Sequence, residues 1–378
     1  MNRVVFFLIL TACLQIIISP LSAQATPPDL TDFWEGRASW VVDIYDVGLP
    51  IGESDTLAMG EGVYWSYLHA SYPSAGVVDQ CGMPVEFPGC LTLWQSEDGG
   101  ESFALETPVC LMPCGSCPCD DQANNERVLW QQYPRVVVAD DGMWYMVYEW
   151  RAQTIIRRSE DGVVWSDYVQ LTDPAGVWPR DFAACDVIED IGEHPNIRGQ
   201  GDVCLVGGPP GLYVEGDMLY VFVMAGSAPS HMRCYKGDRH GDLTDLQVCD
   251  ADPLFTGAQD YGPVDEFGED AIDYWDFRYI SSADVIQVGD YYYMAYEGIR
   301  GPSELEFGRD NQFGLGFARA TALDSEWETL ERNPVVMGLA DNWGIGHADL
   351  LVIDGVTYMY SATSQETRGR YVLAWDDD

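Results

Sequence analysis

Apolar and polar positions settle into a repeated order in Ser281–Gly301, SSADVIQVGDYYYMAYEGIRG. Val285, Ile286 and Val288 run into Gly289-Asp290, and an aromatic run from Tyr291 to Tyr296 leads away. β-Branched and aromatic side chains suit a pleated surface and Gly-Asp suits a tight reversal, so the stretch predicts a β-hairpin. The pattern recurs at Glu53–Ser71, Tyr133–Trp150, Pro209–Gly226 and Gly346–Ser364. Aligned on the tyrosine after each turn (Tyr64, Tyr145, Tyr220, Tyr293, Tyr358), every turn begins four residues earlier, at Gly60, Asp141, Gly216, Gly289 and Asp354. Successive anchors lie 65 to 81 residues apart, room for one sheet of several strands per repeat. Such repeats predict an all-β chain, a five-bladed β-propeller with about four strands per blade. A β-sandwich with coincidental hairpins would not share one turn offset five times.

Before the first repeat, Asn2-Arg3 precede an apolar run from Val4 to Ile18, followed by Pro20 and Leu21-Ser22-Ala23. This reads as a signal peptide over residues 1–23, with residues 24–378 as a single propeller domain. The expected location is secreted or periplasmic. Leu10-Thr11-Ala12-Cys13 also resembles a lipobox, which leaves a surface form anchored through Cys13 as the alternative. No later run is long and apolar enough to span a bilayer. Trp40–Tyr45 is a candidate strand that would lie beside Arg370–Trp375, so that the two ends of the chain close the ring.

Charge narrows the partners. The net charge is −42, and Lys236 is the lone lysine. Such a surface repels phosphate backbones and anionic lipid, which argues against nucleic acid and an integral membrane role. A monomer is expected. Ten cysteines follow the leader, an even number that implies up to five disulfides in an oxidising compartment. Cys81–Cys90, Cys185–Cys204 and Cys234–Cys249 are the expected local pairs. Cys110, Cys114, Cys117 and Cys119 form a tight cluster that predicts two further disulfides rather than a zinc site.

Two outer segments, Ser96–Phe103 and Ser159–Trp165, resemble the Asp-box turns of sialidase-type propellers. There an aspartate caps the turn, a glycine takes the unusual dihedral and an aromatic plugs the blade. Ser282-Ala283-Asp284-Val285, Gly314–Trp327 with Asn333-Pro334, and Gly346-His347-Ala348-Asp349 resemble the five-bladed glycosidases of family 43, the arabinanase and xylosidase group. The resemblance covers the chain from about Asp55 onward. It implies a poly- or oligosaccharide substrate and carboxylate acid/base chemistry in the central funnel. By its A-P-D motif it implies a pKa-tuning role at Asp284, and by its G-H motif a channel position for His347 near calcium or water. Asp349 and Asp55 stand nine residues before their anchors, as Asp284 does. The matching positions in blades two and three are Val136 and Gly211.

The family's general acid is a glutamate early in the middle blade, and Gly208-Pro209-Pro210-Gly211 has none. Glu149 and Glu297, each four residues after its anchor, are the nearest substitutes, with Glu266 and Glu269 as loop alternatives. The catalytic candidates are therefore Asp55, Asp284, Asp349, Glu149 and Glu297. The aspartates could equally be polar plugs bonded to neighbouring amides, and the glutamates solvated strand ends. His347, Arg278, Arg135, Trp275 and Trp343 are the candidate substrate contacts. Arg135, Arg278 and Arg300 could instead form a sialidase-like carboxylate cluster. The acids of Asp260–Asp276, including Asp270, Asp273 and Asp276, predict a calcium site, since a bound dication offsets repulsion among crowded carboxylates. A non-catalytic glycan- or protein-binding propeller is the rival function, and a sialidase-like enzyme the third.

Overall fold

Five antiparallel sheets follow one another along the chain. The computed structural model describes residues 26–50, 52–70, 76–79, 81–84, 90–106, 108–112, 131–150, 153–171, 209–225, 230–257, 275–276, 279–300, 312–337, 347–364 and 367–376. The leader, Cys13 and the cysteines at 114, 117, 119, 185 and 204 lie outside them. After a helical turn, α1 (Leu30–Trp34), comes strand β1 (Ala38–Ile44). Blade one is β2 (Ser54–Gly60), β3 (Val63–Ala70), β4 (Cys90–Ser96) and β5 (Ala104–Leu105). Blade two is β6 (Gln131–Val138), β7 (Trp144–Trp150), β8 (Gln153–Ser159) and β9 (Val169–Gln170). Blade three is β10 (Gly211–Glu215), β11 (Met218–Ala225), β12 (His231–Asp238) and β13 (Gln247–Val248), with β14 (Phe255–Thr256) also on β12. Blade four is β15 (Tyr279–Val288), β16 (Tyr291–Arg300), β17 (Gln312–Ala320) and β18 (Glu328–Thr329), with β19 (Val336–Met337) on β17. Blade five is β20 (Asp349–Ile353), β21 (Val356–Ala362) and β22 (Arg368–Trp375), completed by β1 from the other end of the chain. The pairing runs from Ala38↔Trp375 to Ile44↔Arg370, so the predicted ring closure is present.

The five predicted hairpins are the first two strands of the five blades. Apolar side chains are buried on both faces of these strands because each blade packs against two neighbours. Five buried clusters accordingly each span one interface. Tyr67, Leu91, Trp144 and Met146 join blades one and two, and Val147, Ile156, Val221 and Tyr235 join two and three. Phe222, Met232, Tyr296 and Trp327 join three and four, and Tyr293, Phe317, Leu350 and Met359, with Leu30 and Phe33 of α1, join four and five. Leu351, Tyr360, Tyr64 and Trp94 close the ring.

The two outer turns lock neighbouring blades. Asp98 Oδ1 accepts the amides of Glu101 and Ser102 (both 3.0 Å), and Asp161 Oδ1 accepts those of Val163 and Val164 (2.9 and 2.8 Å). In each turn a glycine carbonyl accepts a tyrosine hydroxyl from the preceding blade: Tyr360 to Gly100 (2.9 Å) and Tyr67 to Gly162 (2.8 Å). Phe103 and Trp165 pack edge-on against those tyrosines.

Cys234–Cys249 forms as expected. Cys90 does not pair with Cys81 but with Cys110, which also removes Cys110 from the cluster that was to pair within itself. The reason is the return of the chain beside β4. The Leu111 amide donates to the Leu91 carbonyl at 2.9 Å, which sets Cys110 beside Cys90 with Cα atoms 5.8 Å apart. Cys81 is disulfide-bonded as well, to a cysteine beyond the described residues. Among the described residues no helix is long and apolar enough to cross a membrane.

Candidate functional site at the propeller axis

The innermost strands bring together one residue from each blade, and the offset of nine is correct in only three of them. The residues opposite the second position after each anchor are Thr56, Arg135, Gly211, Asp284 and Asp349. Blades three, four and five reverse over two residues, whereas blade one carries a bulge at Met59 and blade two a five-residue turn. The blade-two position is therefore Arg135, not Val136. In blade one Thr56 takes the place of Asp55, which sits one residue earlier.

Arg135 is 2% exposed and fills the axis. Its Nε donates to the Ala283 carbonyl (3.2 Å). Nη1 donates to Asp349 Oδ1 (3.0 Å), Asp55 Oδ1 (3.3 Å) and the Ser54 carbonyl (3.3 Å), and Nη2 to the carbonyls of Ser282 and Ala348 (both 3.0 Å). One side chain from blade two thus ties blades one, four and five. Blade three joins by close approach, since a Cβ on Gly211 would stand 2.6 Å from both the Cβ and the carbonyl oxygen of Ala283. Arg368, also fully buried, donates to the carbonyls of Gly52 and His347 (both 2.9 Å) and to Asp349 (3.4 Å).

The aspartates clasp the next blade in the ring. Asp55 Oδ2 accepts the Val136 amide and Asp284 Oδ2 the Leu350 amide, both at 2.5 Å. Asp349 Oδ2 accepts the hydroxyls of Ser54 (2.7 Å) and Thr56 (3.1 Å). Burial pushes the Asp284 carboxyl up to about 6, against the lowering effect of Arg135 and the Leu350 amide. Burial also raises Asp55 well above the usual carboxylate range, with Arg135 opposing and Asp284 and Asp349 adding to it. Burial works against the charge of Arg135, but the three carboxylates more than offset it and its pKa is raised. Asp284 and Asp349 occupy the expected axial position, and Asp55 reaches the same cluster from one residue before its blade's equivalent, Thr56. Arg135 was expected to touch substrate, and it is instead their buried counter-charge.

A second layer lies where the innermost strands begin. Glu149 and Glu297 occupy equivalent places on β7 and β16, opposite Gln132 and Ser281. Glu297 is buried, with Oε2 3.4 Å from the hydroxyls of both Ser281 and Ser282. Glu53, just before β2, pairs with His69 Nδ1 at 2.9 Å. Tyr133 stands over His347 with ring centroids 5.2 Å apart. Desolvation, followed by the charges of Glu53, Glu149 and Glu297, pushes the Tyr133 phenol well above its ordinary value. All three glutamates are thus within electrostatic reach of one half-buried ring. Burial, then Arg135, Arg368 and His69, holds His347 well below the ordinary histidine value, so it is neutral. Its Nδ1 is 2.7 Å from Ser282 Oγ.

Both β6 and β15 carry a bulge just before the axial residue, and Tyr133 (φ 55°) and Ser282 (φ 57°) take left-handed backbone beside it. A bulge re-aims side chains, here setting the Tyr133 ring over His347 and Ser282 Oγ against its Nδ1. Glu53, His69, Tyr133 and Ser282 were not among the sequence candidates. Glu53 lies two residues before Asp55 and was within reach of sequence reasoning, whereas nothing in the sequence marks a left-handed tyrosine or serine.

Other expectations change. Trp275, predicted to meet sugar, is 6% exposed and wedged in the core, 5.4 Å from the Tyr296 ring. Gly298 and Gly316 leave it room, since a Cβ on either would meet its ring. Asp276, predicted to bind calcium, is buried and accepts the Tyr296 hydroxyl at 3.2 Å. Among the described residues no group of three or more His, Cys, Asp or Glu is placed to hold a metal. Calcium therefore does not fit the axis, whose carboxylates are committed to guanidinium, amide and hydroxyl donors. Asp270, Asp273, Arg278, Trp343, Glu266 and Glu269 lie outside the described residues, as does the side chain of Arg300.

No protein-family model matches this chain, and no curated protein matches it in sequence. Solved structures do resemble it. The endo-arabinase from Bacteroides thetaiotaomicron VPI-5482 is 12% identical with a TM-score of 0.50, over 89% of this chain and 99% of that one. The catalytic domain of the Coprinopsis cinerea GH62 alpha-L-arabinofuranosidase is 12% identical, with a TM-score of 0.49 over 89% and 97%. The Cellvibrio cellulosa alpha-L-arabinanase complexed with arabinohexaose is also 12% identical, with a TM-score of 0.49 over 87% and 94%. At this identity the likeness is one of fold.

Proposed function

We propose that the protein is a secreted glycoside hydrolase-like propeller that acts on a neutral poly- or oligosaccharide at the glutamate-lined end of its axis. The observation that carries this reading is buried Glu297, 3.4 Å from the hydroxyls of Ser281 and Ser282 and next to the Ser282–His347 contact, with Glu53 and Glu149 within electrostatic reach of the same Tyr133 ring. Glycoside hydrolysis needs two carboxyl groups on either side of the scissile bond, one giving and one taking a proton. Glu297, desolvated and held by serine hydroxyls, is the better-oriented partner, and half-buried Glu149 faces the same ring from blade two. Asp55, Asp284 and Asp349 lie behind them and act through the field they set up at the axis. The likeness in fold to arabinan-acting enzymes supports a carbohydrate substrate, and the disulfides support an oxidising compartment.

The test is incubation of the purified protein with an arrayed polysaccharide panel, reading released reducing ends. Release by the wild type should fall at least about 100-fold in Glu297→Gln and in Glu149→Gln, the usual worth of a general acid or base. No release from any substrate would leave the catalytic reading without support. A non-catalytic glycan-binding propeller is the second reading, favoured by how completely the axial aspartates are used up by structural partners. It predicts retention of a glycan by both the wild type and Glu297→Gln without turnover. Calcium binding by the acids of 260–273 belongs to the same proposal. Melting temperature should fall on chelation and recover with added calcium.

A further inference from the structure

Ser282 occupies a backbone conformation that favours glycine. Its φ is 57°, and non-glycine residues persist in the left-handed region only where the surroundings hold them there. Its amide donates to the Pro209 carbonyl (2.9 Å) and its carbonyl accepts from Arg135 Nη2 (3.0 Å). Glycine would make both bonds without strain, so what serine adds is the hydroxyl. That hydroxyl is fully buried, 2.7 Å from His347 Nδ1 and 3.4 Å from Glu297 Oε2.

One proton on Oγ has two neighbours, and His347 decides between them. The other ring nitrogen, Nε2, is buried and has no hydrogen-bond partner among the described residues. If Oγ donated to Nδ1, the ring proton would sit on Nε2 as an orphaned buried donor. If Nδ1–H donates to Oγ, only a lone pair is left over on Nε2. Orphaned buried N–H groups are the rarer of the two in folded proteins. The second arrangement also frees the serine proton for Glu297.

We propose that Ser282 is a positioning residue: His347 Nδ1–H donates to Ser282 Oγ, Ser282 Oγ–H donates to Glu297 Oε2, and the relay fixes the orientation and proton affinity of that carboxylate. The role given to Glu297 rests on the hydrolase reading above; the relay itself does not. Glu297 is also faced by Ser281 of β15 and Tyr133 of β6, the latter shared with Glu53 and Glu149. His347 is faced by Arg135, Arg368 and His69. A hydroxyl donated to a carboxylate favours the charged form, so its removal raises the carboxyl pKa.

The experiment is NMR of protein labelled with 15N in histidine and 13C in glutamate carboxyls, on the wild type and on Ser282→Gly, with melting and pH–rate curves beside it. The wild type should show His347 as the Nδ1–H tautomer. In Ser282→Gly the relief of left-handed strain is offset by a buried imidazole N–H left without its acceptor, so the melting temperature should stay close to or fall below that of the wild type. The variant's Glu297 carboxyl should titrate measurably higher, by up to about one pH unit since the 3.4 Å contact is long and Ser281 offers a second, and the matching limb of the hydrolysis profile should move with it. An Nε2–H tautomer in the wild type, or a Glu297 titration unmoved in Ser282→Gly, overturns the relay. Should Ser282→Gly fail to fold, the wild-type tautomer decides alone. If the carboxyl titration moves as expected while no form of the protein releases sugar, the relay stands and the hydrolase reading falls.

Discussion

Two groups of acids lie on the inner strands of the blades, in neighbouring layers, and are used differently. At the axis, Asp55, Asp284 and Asp349 meet Arg135, two backbone amides and two hydroxyls from adjacent blades. One layer out, where the inner strands begin, Glu53, Glu149 and Glu297 all lie within electrostatic reach of Tyr133. The difference teaches that convergence on a propeller axis is not by itself a sign of chemistry. Acids whose oxygens are taken up by neighbouring blades hold the ring together, and the proposed chemistry is assigned to the glutamates one layer out.

Removing Arg135 should break the axial half most severely. Arg135→Met leaves buried carboxylates without their counter-charge and several carbonyls without a donor, a loss of about 3–5 kcal/mol in urea unfolding. A loss below about 1 kcal/mol would mean that the axis is solvated and that its acids are free for other work. Next is the response to pH. Asp284 titrates near 6 in the folded chain, above its unfolded value, so the folded chain holds the extra proton between about pH 4 and 6. Stability should therefore fall as pH rises through that window, by on the order of 2–3 kcal/mol, and the fall should flatten in Asp284→Asn. Surface acids such as Asp98, held low by Ser102 and Ser96, act with the opposite sign in both proteins and cancel in the comparison. Urea midpoints measured from pH 4 to 7.5 test this, and identical slopes in the two proteins would refute it. Gly211→Ala should then cost about 1–3 kcal/mol through overpacking against Ala283. Smallest in stability is Glu149→Gln. Its unfolding midpoint should stay within about 0.5 kcal/mol of wild type while sugar release is lost, the reverse of the axial variants.

The hairpins, the blade number and the closing strand were legible because apolar and aromatic runs flanking a glycine-containing turn are local signals, repeated five times at one offset. Asp284 and Asp349 were legible by their shared offset, whereas Asp55 joins them from a different register position. Arg135 was legible as a residue but not in its role, because a five-residue turn in blade two shifted the register by one. Trp275 looked like a sugar platform in a stretch rich in acids and aromatics. Only the facing glycines at 298 and 316, distant in sequence, make it an interior wedge. The disulfide partners were not legible either, since Cys90–Cys110 depends on the chain coming back to hydrogen-bond beside Leu91.

The pairing of β1 with β22 has a consequence in time. The strand that completes blade five begins at Ala38 and its partner ends at Trp375, so nearly the whole chain must exist before the two can meet. Until then β20 to β22 present an open edge, and so does β1, with Val41 and Val42 largely exposed even after pairing. Contacts this distant in sequence make folding slow, and unpaired edges are where chains join one another. Ring closure is thus a last step, and the interval before it is when this protein is most open to association with other copies of itself.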